Sequence, residues 1–143
     1  MKAVLDTNVV VSSFLSPAGI RSQVLKGWEK GQFELVVSEE ILAEYERALN
    51  YPEVSSRHGM DAAEVAQVIS EIKSFATVVK PKKKLTVVKD DPEDNKFLEC
   101  AKESGAEYII SADPHLLNLE QYQGIQILSP SEFLTLNSPL DKS

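Results

Sequence analysis

Short apolar runs of three to five residues alternate along this chain with longer stretches in which apolar residues recur every three or four positions. The first pattern fits strands buried on both faces, the second helices that bury one side. Ala3-Val4-Leu5 predicts a strand over about 2–5, and Ser16-Pro17-Ala18-Gly19 a loop into a helix near 20–30. Val24, Leu25 and Trp28 share a side of that helix, which Gly31 ends. Phe33 to Val37 reads as a strand. Ser38 is a natural N-cap for a helix over about 39–50, stopping before Pro52. Asp61 and Glu64 have capping-box spacing and open a helix to about Phe75 that carries Val65, Val68, Ile69 and Ile72. The apolar runs at 77–79 and 85–88 are strands or extended connections. Asp91 as N-cap and Pro92 at the first helical position predict a helix to Ser104, ended by Gly105. Strands follow at 107–111 and 125–128, and Pro130 opens a short terminal helix. Strands separated by helical segments imply a parallel sheet covered on both faces, a three-layer α/β/α sandwich with a twisted, mainly parallel sheet. Residues 1–136 read as a single domain and 137–143 as a frayed tail.

A chain of 143 residues suits one domain with a substantial core. Cys100 stands alone, so there is no disulfide framework and a reducing cytoplasm is the simplest compartment. The N-terminus enters a strand directly rather than reading as a signal peptide, and no apolar run approaches the ~20 residues of a membrane span. Net charge is −7, which on its face opposes nucleic-acid binding. Bound divalent metal would cancel part of it, and basic residues cluster at Lys80, Lys82, Lys83 and Lys84, a solvated loop or a phosphate track.

Four acids stand where such a fold would gather them: Asp6, Glu44, Asp94 and Asp113. Asp6 and Asp113 follow apolar strands, and open α/β sheets bind ligands outside the carboxyl ends of their strands. Turn or cap duty would also place an Asp there. On a helical wheel Glu44 borders the stripe of Ile41, Leu42, Tyr45, Ala48 and Leu49, while Glu39, Glu40 and Glu46 fall away from it. It is a ligand, or a glutamate snorkelling at the core edge. Asp94 precedes Phe97, Leu98 and Ala101 by helical spacings and heads the buried face, with Glu93, Lys96 and Glu103 marking the solvent face. A helix dipole would also favour a charge in this first turn. Ser111 is placed to position a water or to bond a neighbouring acid.

Two carboxylates about 5 Å apart repel by about 3 kcal/mol at an effective dielectric of about 20, so a cluster of four calls for a cation or for raised pKa values. An oxygen donor set suits Mg²⁺ or Mn²⁺, and no Cys–His arrangement has zinc spacing. His58 and His115 read as surface or supporting groups, and Cys100 as a small packing residue.

Together these motifs resemble the PIN-domain nucleases. The matching features are Val4-Leu5-Asp6-Thr7-Asn8, Ser38-Glu39-Glu40-Ile41-Leu42-Ala43-Glu44-Tyr45, Asp91-Pro92-Glu93-Asp94-Asn95 and Ser111-Ala112-Asp113-Pro114-His115-Leu116-Leu117. The resemblance spans residue 2 to about 135 and comes nearest the prokaryotic toxin (VapC-like) branch of toxin–antitoxin pairs. It implies a metal-dependent endoribonuclease. Asp6, Glu44, Asp94 and Asp113 would be its metal-site acids, Asn8 and Ser111 its polar supports, and Mg²⁺ or Mn²⁺ its cofactor, as one or two ions. The implied partners are RNA, an antitoxin protein and a second copy of the chain; Val24, Leu25, Trp28 and Phe33 are apolar surface for that copy or part of the core. Where the family's fourth motif commonly has Gly before its Asp and an acid after it, this chain has Ala112 and His115.

Two other readings stay open. A phosphohydrolase could use Asp6 as nucleophile, although haloacid-dehalogenase-like enzymes want a second Asp where Asn8 stands. A non-catalytic interaction module could keep the same fold.

Overall fold

Residues 1–89 and 92–136 are described here by a computed structural model. The expected cap at Asp91 and the tail 137–143 lie outside the described residues. Every residue of Ala3–Leu5 is fully buried, although consecutive side chains of a strand point to opposite faces. Strand β1 (Lys2–Leu5) must therefore be covered on both sides.

The sheet around it has the order β3-β2-β1-β4-β6-β5. These strands are β2 (Glu34–Ser38), β3 (Thr77–Val79), β4 (Tyr108–Ile110), β5 (Gln121–Tyr122) and β6 (Ile125–Leu128). Pairing is parallel, with Ala3 beside Leu35, Val37 beside Val78, Leu5 beside Ile110 and Ile110 beside Leu128. Among the described residues only the two-residue edge strand β5 runs antiparallel, against β6. From β1 the chain builds outward through β2 and β3, then crosses back to place β4 on the other side of β1. β1 and β4 thus flank the point where strand order reverses, where doubly wound sheets open a crevice.

The helices are α1 (Thr7–Leu15), α2 (Ile20–Glu29), α3 (Glu39–Leu49), α4 (Pro52–His58), α5 (Ala62–Phe75), α6 (Asn95–Ser104), α7 (Pro114–Leu117) and α8 (Pro130–Leu136). With the usual right-handed crossovers, α1 to α5 cover one face as the strands advance from β1 to β3, and α6 covers the other. The three-layer, mainly parallel architecture expected from the sequence is the one found. Its caps are those read from the residues: Ser38 Oγ accepts from Ile41 N at 3.2 Å, and Asp61 and Glu64 close a reciprocal capping box at 2.8 and 3.1 Å. Gly105 ends α6 at φ 72°, in the left-handed region that disfavours a side chain.

Four elements were not expected. Helix α1 carries Val9-Val10-Val11, β-branched residues that favour strands, yet burial of all three outweighs that preference. Helix α4 buries no residue and so shows no apolar stripe; Pro52 does not merely stop α3 but opens α4 as its first residue. α7 and β5 are too short to leave a period.

The run at 85–88 forms neither helix nor strand. Instead Asn95, Glu99 and Glu103, four residues apart along α6, accept from the amides of Val88, Leu85 and Lys82 at 2.8, 2.8 and 3.0 Å. Asn95 also donates to the carbonyls of Val88 and Pro92, both at 3.1 Å. No helix among the described residues is long and apolar enough to cross a membrane.

Candidate metal centre

Asp6 follows the last residue of β1 and holds the N-cap position of α1, yet makes no capping bond there with its side chain. Its amide donates to Ile110 O at 2.9 Å, which ties it to the end of β4. Its Oδ2 accepts from Ser111 Oγ at 2.6 Å, and the same hydroxyl accepts from Asp113 N at 2.9 Å. The fully buried Ser111 therefore couples the two strand-end acids. Asp6 is itself only 4% exposed. Burial is the main reason its carboxyl rises from an ordinary 3.8 to about 6; bonds from Ser111 and Thr7 oppose the rise, and the charges of Asp113 and Glu44 add to it.

Asp113 caps α7, its Oδ1 accepting from His115 N at 2.8 Å. His115 Nδ1 lies 3.6 Å from the same oxygen. Asp94 ends a 3₁₀ turn (Pro92–Asp94) and is buried, as its place at the head of the buried face predicted. Asp94, Asp113 and His115 each offer a ligand atom, all within 4.8 Å of one another. The imidazole was expected only as a surface or supporting group. What brings it in is the turn at Pro114, which folds the residue two places beyond Asp113 back over that acid.

Glu44 has different company. Its Oε2 accepts from Thr7 Oγ1, and its Oε1 is bonded and ion-paired to Lys96 Nζ. Lys96 also reaches Glu93 at 3.1 Å. Lys96 does not mark a solvent face: its side chain is 2% exposed, because every residue from Asn95 to Ala101 is buried. Burial disfavours its charged form, but the bonds and charges of Glu44 and Glu93 outweigh this and raise its pKa above the ordinary 10.5. Next to Glu44, Tyr45 OH donates to Leu5 O at 2.5 Å and fixes α3 against the end of β1. Asn8 lies exposed in the first turn of α1. Burial pushes the Cys100 thiol up to about 12, in keeping with a packing residue. In the basic run, Lys84 pairs with Glu40 and Glu99 at 3.6 and 3.9 Å.

The donors on the Asp94–Asp113 side fit a divalent cation. They are carboxylate oxygens and one imidazole at ligand spacing, beside a buried Asp6 whose charged form is disfavoured and would gain from a cation. Glu44 fits less well, since its charge is already met by an ammonium.

The PIN domain family matches residues 2–115 of the chain. An uncharacterized protein of Methanocaldococcus jannaschii is 26% identical over 142 residues, covering 94% of this chain and 90% of that protein.

Proposed function

Because the chain belongs to the PIN-domain family, a nuclease-type fold, we propose that it is a metal-dependent endoribonuclease hydrolysing RNA phosphodiester bonds. The observation that carries this reading is the ligand spacing of Asp94, Asp113 and His115 just beyond the carboxyl end of β4, with Ser111 linking Asp113 to the buried Asp6 at the end of β1. Asp94 and Asp113 would hold Mg²⁺ or Mn²⁺ with Asp6 near Asp113, and His115 adds a nitrogen donor, which Mn²⁺ accepts more readily than Mg²⁺. When bound, such an ion supplies positive charge for a phosphodiester and lowers the pKa of neighbouring water. The chain's own part is positioning. Ser111 orients Asp6 and fixes the amide of Asp113, while the clasp of Asn95 on Val88 and Pro92 sets the turn that carries Asp94. Asn8, exposed in the first turn of α1, would meet substrate rather than metal.

The experiment is cleavage of end-labelled mixed RNA and single-stranded DNA in EDTA, Mg²⁺ and Mn²⁺, with Asp94→Asn alongside. Metal-dependent cuts within the RNA, lost in the variant, support the reading; equal cleavage in EDTA overturns it.

Within the cytoplasm, the chain would act as the toxin of a toxin–antitoxin pair. Expression should then halt growth, with relief by Asp113→Asn, and a co-expressed upstream reading frame should bind the chain. Of the apolar residues expected to face a second copy, Val24 and Phe33 are buried in the core; such a copy would cover the apolar hollow of about 610 Å³ whose rim includes Phe14, Leu25, Trp28, Val68 and Phe75. Sedimentation that finds only a 15.8 kDa species at micromolar concentration would reject the dimer.

A further inference from the structure

Glu44 belongs to the acids expected to bind metal, yet the structure gives it a cation of the protein's own. Lys96 Nζ lies on Oε1 of Glu44, inside the fold rather than on its surface. Its second carboxylate, Glu93, is 77% exposed at the side chain, so Glu44 is the inner partner. The Phe97 ring, 5.7 Å from Nζ at its centroid, adds a face that also favours positive charge. The other oxygen of Glu44 is taken by the Thr7 hydroxyl, on the residue that follows Asp6. Both oxygens are therefore engaged by groups rooted in α1 and α6. A divalent ion bound to Glu44 would have to stand next to a buried ammonium, and like charges at that range repel strongly where water is scarce. Moving Lys96 aside would leave its charge buried without its inner partner, the costly way to break such a pair.

We propose that Lys96 is a built-in counter-cation that withholds Glu44 from the divalent ion and confines that ion to the Asp94–Asp113 side of the site. Lys96 is thus a positioning residue: it balances one acid so that the remaining acids define a single place for metal. This rests on the nuclease reading above.

Mn²⁺ binding, followed by the electron paramagnetic resonance of free Mn²⁺, separates the alternatives without any activity assay. Lys96→Gln frees the Glu44 carboxylate and removes a repulsive charge, so Mn²⁺ should bind at least about tenfold more tightly. Lys96→Arg restores the charge and should restore wild-type affinity. The double variant Glu44→Gln with Lys96→Gln replaces an ion pair by two neutral amides, leaves neither partner as a lone charge, and should bind Mn²⁺ within about threefold of wild type. A structural pair would shift the melting temperature while leaving all Mn²⁺ affinities alike. Unchanged affinity in Lys96→Gln, or a double variant weakened tenfold or more, overturns the proposal.

The unmodified protein provides a check free of folding effects. A buried, paired lysine ammonium exchanges slowly enough to give a ¹⁵N signal, and saturation with Mg²⁺ should leave the Lys96 signal in place. Its loss on adding Mg²⁺ would mean that the pair opens and that Glu44 turns to the metal, which also overturns the proposal. A wild-type chain that binds no Mn²⁺ overturns this proposal and the nuclease reading together; binding in wild type with a crippled double variant overturns this one alone.

Discussion

At the carboxyl edge of the sheet the protein buries charge in two ways. On one side Asp113 stands at ligand spacing from Asp94 and His115, and the neutral Ser111 hydroxyl links it to the buried Asp6. On the other, Glu44 and Glu93 share the Lys96 ammonium. The second cluster carries a cation of its own, and the first keeps a demand for positive charge that shows in the Asp6 carboxyl, raised mainly by burial, with the charges of Asp113 and Glu44 adding to it. Electrostatic demand, more than the number of acids, marks where an external cation belongs.

The comparison breaks hardest at Asp94. Asp94→Asn preserves size and removes charge, so RNA cleavage should fall by about 100-fold or more, while melting in EDTA holds or improves. Full activity in this variant would remove Asp94 from the demanding side.

A metal-free pH series comes next in size. The folded value of Asp6, about 6, exceeds its ordinary 3.8, so between these values the folded state keeps a proton that the unfolded state has lost. Its contribution is fully present below about 3.8 and lost as pH rises through about 6, a difference of up to about 3 kcal/mol. Denaturant titrations in EDTA at pH 4 to 7 should show this fall in wild type but not in Asp6→Asn. Parallel curves for the two proteins would contradict it.

Metal should reverse that loss. At about 100 times its dissociation constant, Mn²⁺ or Mg²⁺ stabilises a one-site protein by about 2.7 kcal/mol, a rise in melting temperature of roughly 5–10 °C for a chain this long. Identical melts in EDTA and in metal would undercut the site.

The smallest effect belongs to Glu93 on the Lys96 side, whose exposed carboxyl is held below its ordinary value by the bond and charge of Lys96. Glu93→Gln should leave cleavage within about twofold of wild type, as exposed ion pairs contribute little. A large loss would mean that the outer carboxylate, and not Glu44, holds Lys96 in place.

Much of this was legible in the residues. Strand-end acids, the Ser38 cap, the Asp61–Glu64 box and Gly105 all depend on local spacing, which a sequence displays directly. The burial of Lys96 was not legible. A helical wheel divides α6 into a core side and a solvent side, but nearly its whole first two turns are enclosed, and the inner partner of Lys96 lies 52 residues away on α3. Helix α1 was missed because its valines favour strands and only the burial they achieve in the fold decides otherwise. His115 was set aside because a lone histidine says nothing of the turn that folds it over Asp113.

The stretch from Lys82 to Val88 looks like the kind of polar connection that tolerates insertions and deletions. Three of its amides, however, are matched one by one to acceptors on α6. Its length is therefore a fixed measure. One added residue between Lys83 and Leu85 would force either Lys82 or both Leu85 and Val88 off their acceptors, and the Val88 end is where Asn95 holds the turn bearing Asp94. In deuterium exchange such an insertion should unprotect Val88 along with its own neighbours, and unchanged protection at Val88 would contradict it. What passes for a spacer is a gauge that sets where Asp94 stands.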